Sequence, residues 1–145
     1  MKNYFQIIKD FFHKENGNTL IGIFVLISFA IITIKIKNNY ALKSIEDERL
    51  YTIGRISGFS KTKTTRFVKY IYSYNGKSFQ SEKSYSNENH VIGERFLVVF
   101  NPNDNTNFLL PYKIDLNIEE PINGWKIPPN DIDENDIINY LKNKY

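Results

Sequence analysis

Residues 17–34, GNTLIGIFVLISFAIITI, run for eighteen positions without a charge, and Lys35 and Lys37 follow directly. As a helix rising 1.5 Å per residue, this stretch extends about 27 Å, close to the hydrocarbon thickness of a bilayer. The lysine stems after it are long enough to carry their charges out to headgroups. A cleavable signal peptide would carry a shorter apolar run ending at a small-x-small site. Ser28 and Ala30 have that spacing, but an apolar stretch rich in Ile continues beyond them. A buried core helix would need a large surrounding core, which the remaining 108 residues, strand-like in pattern, are ill suited to build. The expectation is an uncleaved transmembrane helix over residues 17–37, with the lipid bilayer as its partner.

Upstream, Tyr4, Phe5, Ile7, Ile8, Phe11 and Phe12 recur at helical spacing among charged residues. Residues 1–16 therefore read as an amphipathic helix lying in the membrane interface. Lys2, Lys9 and Lys14 precede the span, and Lys35, Lys37, Lys43 and Arg49 follow it. That balance gives little orientation signal; a short basic tail ahead of one span is the layout of a signal anchor with an exported carboxyl domain.

Residues 38–49 (NNYALKSIEDER) read as a polar, partly helix-compatible connector, and after them the apolar period changes from helical to two. Residues 50–56 alternate around Gly54, which suggests a bulge or bend there. Residues 65–74 (TRFVKYIYSY) form the clearest strand, with Val68, Tyr70, Tyr72 and Tyr74 on the face expected to be buried. Asn75-Gly76 then signals a two-residue hairpin, because both central residues of a type I′ turn need positive φ, and residues 77–84 resume alternation. Residues 96–100 (FLVVF) read as a central strand covered on both faces, Asn101-Pro102-Asn103-Asp104 as a turn, and residues 108–110 as a short last strand. The fold class expected is mainly β: a transmembrane helix, then a curled five-stranded antiparallel sheet or open barrel over residues 50–111. Residues 112–145 carry an irregular proline-containing segment, with Trp125 plugging one end of the sheet, and a short terminal helix capped by Asn130.

The order Thr52-x-Gly54-Arg55-Ile56, Tyr70-x-Tyr72-x-Tyr74-Asn75-Gly76-Lys77-x-Phe79 and Ile92-Gly93-Glu94-Arg95-Phe96-x-Val98-x-Phe100-Asn101-Pro102 resembles the DUF3592 family of bacterial membrane-associated proteins over about residues 50–110. The resemblance implies a small β domain beside an apolar span. It implies no catalytic residues. The family's second proline after the turn is replaced here by Asn105 and Thr106, and its tyrosine before the turn by Phe100, so a looser turn is expected.

Chemistry-bearing residues are sparse. The chain has no Cys and two His, at 13 and 90, which excludes disulfide scaffolds, thiolate metal sites and cysteine nucleophiles. Ser84, Ser86, Glu88 and His90 lie close in sequence without a nucleophile elbow or an oxyanion-hole turn. Glu88 and His90 are too few ligands for a metal, and Asp131, Asp133, Glu134 and Asp136 lack the glycine and distal glutamate of a calcium loop. No cofactor is expected.

Charge is uneven: residues 50–113 carry a net +5 and residues 114–145 a net −4. The basic stretch Arg55, Lys61, Lys63, Arg66 and Lys69 is the candidate interaction site, suited to an acidic protein surface or anionic headgroups. Nucleic acid is not the expected partner, since stacking on bases needs exposed aromatics and the tyrosine row is better explained as core. The expected function is presentation of a small β domain at a bacterial inner membrane, without catalysis. Two rival expectations are an enzyme or accessory subunit with a cleft near His90, and an immunity-type inhibitor of a membrane-acting toxin.

Overall fold

The computed structural model describes residues 17–85 and 89–145. The expected interfacial helix over residues 1–16 lies outside the described residues, as do Ser86, Asn87 and Glu88. The chain divides into two units, Met1–Tyr40 and Ala41–Tyr145.

Helix α1 (Gly17–Asp47) contains the apolar run. Its stretch Ile21–Asp47 is long and apolar enough to cross a membrane, with a mean hydropathy of 1.9 and no part of its apolar window buried. The helix does not stop where the connector was expected. Residues 38–47 contain neither Gly nor Pro to end it, and Leu42 and Ile45, three apart, turn one face toward the second unit's core, where Ile45 is fully buried.

Five strands follow: β1 (Leu50–Lys61), β2 (Arg66–Tyr74), β3 (Lys77–Tyr85), β4 (Arg95–Phe100) and β5 (Asn107–Lys113), ordered β3-β2-β1-β4-β5 and antiparallel throughout. This is the open antiparallel sheet expected. β4 is the interior strand covered on both faces that was expected, and β1, in the middle of the order, runs five residues further than the pattern around Gly54 indicated. The Asn75-Gly76 turn has both residues at positive φ, 51° and 70°, and Tyr74 pairs with Lys77 across it.

The sheet builds a core on each face. On the inner face Ile56, Val68, Tyr70, Tyr72, Phe96, Val98, Phe100 and Leu109 pack together. The curl brings β3 to β5, where the buried Lys83 Nζ donates to Leu109 O at 3.0 Å and to Tyr140 Oη at 3.2 Å. On the outer face Tyr51, Ile53, Leu97, Val99 and Leu110 are covered by Ile45, Ile114 and two residues of helix α2 (Glu134–Lys144), Ile137 and Leu141. All six residues of β4 are buried, as a strand feeding both cores requires. Each such aliphatic side chain contributes about 1.5–3 kcal/mol.

Three local features differ from the sequence reading. Gly54 sits in regular pairing with Tyr72 and Phe96, and the bulge falls between Ile56 and Gly58. The β4–β5 turn is well tied: Asn101 N donates to Thr106 O, Asn103 N to Asn101 Oδ1 and Thr106 N to Asp104 Oδ1, all within 2.9 Å. Asn105 there has φ 62°, a conformation closed to proline, so losing the second proline does not loosen the turn. The cap of α2 is Asp133, whose side chain accepts from Asn135 N at 2.7 Å. Asn130 has φ 62°, whereas a capping residue needs extended backbone. Replacing Asp133 by Ala should cost about 1 kcal/mol. Urea denaturation checks this, and Asn130→Ala should leave the cap intact.

Trp125 closes one end of the sheet by hydrogen bonding. Tyr51 N donates to Trp125 O at 2.8 Å and Trp125 N to Tyr51 O at 2.7 Å, which extends β1's ladder where β2 has ended.

Candidate functional site at the end of the first hairpin

β1 and β2 pair from Gly54↔Tyr72 to Lys61↔Arg66. The turn between them is closed by Thr62 N donating to Thr65 O at 2.8 Å and by Thr65 N donating to Thr62 Oγ1 at 3.1 Å. Alternation along a strand decides which side chains share a face, and the bulge resets that alternation after Ile56. Arg55 and Lys69 therefore lie on the outer side of the sheet, Arg55 opposite Ile71 and Lys69 opposite Glu82. Lys61 and Arg66 face each other on the inner side, beyond the end of the core, and Lys63 sits in the turn. The five basic residues thus form two groups rather than one patch. None of the five has an ion-pair partner among the described residues.

The inner group has aromatic neighbours that the sequence reading did not single out. Phe59, opposite Val68, is 43% exposed, and its ring lies tilted against Tyr85 at 6.0 Å. Phe59, Ser60, Lys61, Arg66 and Tyr85 line an open concavity of about 350 Å³. Two signals would have pointed to them. Phe59 is a large apolar residue just past Gly58, and Tyr85 continues the alternation of β3 one residue beyond Ser84. Without the bulge, Phe59 would have been assigned to the opposite face.

Glu94, whose main chain meets β1 at Ile56, is already engaged. Ile56 N donates to Glu94 O at 2.9 Å, while the Glu94 carboxylate accepts from Lys113 Nζ at 2.6 Å and from Val91 N at 2.8 Å. The Lys113 hydrogen bond, with help from the Val91 amide, holds its carboxyl below the usual range.

Of the residues weighed for catalysis, Ser86 and Glu88 lie outside the described residues, and Ser84 and His90 stand apart. The His90 ring packs edge-on against Tyr85 at 5.6 Å and Phe96 at 5.1 Å, whereas Ser84 pairs with Phe67 on the sheet's other side. Among the described residues no three His, Asp or Glu side chains gather to hold a metal. Glu134 bonds Tyr51 Oη at 3.1 Å and Arg49 at 3.3 Å, tying α2 to the start of β1. Burial, with the Glu134 charge adding to it, pushes the Tyr51 hydroxyl up to about 12. That hydroxyl stays protonated as a donor throughout the neutral range.

Fold and site together define an open five-stranded antiparallel sheet, with a cationic-aromatic hairpin end, joined to a helix apolar enough to cross a membrane. Comparison of the chain with protein-family models, with curated proteins and with solved structures gives no match.

Proposed function

We propose that this chain is a single-pass protein of a bacterial cytoplasmic membrane that holds its β domain at the bilayer, on the extracytoplasmic side, and acts by binding a partner rather than by catalysis. The observation that carries this reading is the exposed apolar surface of α1, where eleven large side chains from Ile21 to Ile36 are 47–70% exposed. On insertion scales each favours lipid by about 0.3–0.6 kcal/mol, together roughly 3–7 kcal/mol. Water would leave that surface as an aggregation hazard. The DUF3592 resemblance supports a bacterial membrane setting, and the short basic tail before the span supports export. Confinement to a surface raises the effective concentration of the β domain toward targets held at the same surface.

Fractionation and protease access test the reading. The full-length chain is expected in the membrane pellet after alkaline carbonate extraction. Protease added outside intact spheroplasts should digest the β domain, and its complete protection there would place the domain on the cytoplasmic side. Recovery of the intact chain in the soluble fraction without detergent would overturn the anchor.

A further inference from the structure

We propose that residues 57–61 of β1 form a docking edge for an extended acidic peptide segment of a partner protein, which adds to the sheet as a further strand. This rests on the binding reading above and names the partner's chemistry. β4 accompanies β1 only from Leu50↔Phe100 to Arg55↔Arg95. Past that point Ile56 N reaches Glu94 O and Gly93 N reaches Ile56 O, both at 2.9 Å. Gly93, at φ 90°, then takes the chain off line. β2 continues to Lys61↔Arg66 on the other side. Among the described residues, no main-chain hydrogen bond reaches residues 57–61 from the side that β4 has left. Such an edge is a template for an incoming strand.

The sheet's other edges carry features that oppose pairing. Lys77 and Lys83 lie in β3, with Lys83 reaching across to Leu109 O. β5 contains Pro111, and Trp125 fills the start of β1. The edge at residues 57–61 is instead flanked by a place for a side chain. The bulge at Ile56/Gly58 turns Phe59 onto the side of Tyr85 and the 350 Å³ concavity. Lys61 and Arg66 line that concavity and Lys63 stands in the turn, so the added segment should carry carboxylates and apolar side chains together on one face, at every second position. A strand adding its main chain supplies donors and acceptors at strand spacing, which lipid headgroups do not. The edge also lies at the far end of β1 from residues 41–47, where the helix joins the β domain: Ser44 O accepts from Asn101 Nδ2 beside the β4–β5 turn. Twelve residues of strand amount to about 36 Å.

The test uses the full-length chain in phosphatidylcholine nanodiscs and a fluorescein-labelled ten-residue peptide whose odd positions alternate Glu with Tyr and whose even positions are Thr. Saturable binding is expected, with amide exchange slowed at residues 57–61. N-methylation of one alternate set of peptide residues should weaken binding at least tenfold, and methylation of the other set should change it less than twofold. Lys61→Glu with Arg66→Glu should weaken it at least tenfold, with an unchanged circular dichroism spectrum. Lys77→Glu, at the opposite hairpin, should not weaken it. Absence of binding, protection elsewhere, or equal tolerance of both methylation patterns would overturn the proposal. So would binding of phosphatidylglycerol vesicles that depends on Lys61 and Arg66 while the peptide fails to bind, since the cluster would then belong to a lipid surface. Either failure leaves the fractionation result, and the anchor it tests, standing.

Discussion

With Leu26 and Phe29 both changed to lysine, the chain should leave the membrane pellet. Both side chains are exposed near the middle of the apolar run in α1. Each lysine at a helix centre costs about 2.5–3.5 kcal/mol and removes a favourable contribution of about 0.3–0.6 kcal/mol, so the pair shifts insertion by roughly 6–8 kcal/mol. That matches or exceeds the roughly 3–7 kcal/mol the exposed apolar side chains supply. The readout is the distribution of the chain between pellet and supernatant after carbonate extraction. The β domain should stay folded, because its unit begins at Ala41. A double variant that still pellets like the parent would mean that something other than the apolar run holds the chain.

The second large effect is at Gly54. A Cβ added there would lie 2.5 Å from Val98 Cγ2, 3.2 Å from Leu109 Cδ1 and 3.3 Å from Tyr70 Cδ2. All three neighbours belong to the inner core and are fully or almost fully buried, so none can swing into solvent. Gly54→Ala should cost about 2 kcal/mol and Gly54→Val at least about 3 kcal/mol. For a unit of this size the alanine variant should melt on the order of 10 °C lower. Val98→Ala in the Gly54→Ala background should recover part of the loss, since it removes the atom in closest conflict; the pair then shows coupling in a double-mutant cycle. A Gly54→Ala variant with an unchanged melting temperature would contradict the packing described.

Gly54 also shows what kind of information the residues carried. Its presence in a strand was legible, but its reason was not, because a bend and a close approach of side chains both call for glycine. Asn75-Gly76 was unambiguous, since its local backbone requirement admits few solutions. The five strands were visible through period-two alternation and turn residues. The bulge after Ile56 was not, and the error spread: one extra residue inverts the facing of all that follow in β1. For the same reason the cationic stretch was recognised by composition while its division between two faces, and the company of Phe59 and Tyr85, depended on tertiary pairing. Residues 38–47 looked polar because six of the ten are Asn, Lys, Ser, Glu or Asp. The few apolar positions among them, Leu42 and Ile45, decide where that segment goes.

The burial of Ile45 has a practical corollary for anyone trimming the chain. A fragment cut back to the first strand would take Ile45 out of the outer-face core and would strip Asn101 of its Ser44 acceptors. The smallest piece that keeps its full interior therefore begins at Ala41 or earlier, inside what a hydropathy plot would discard as tether.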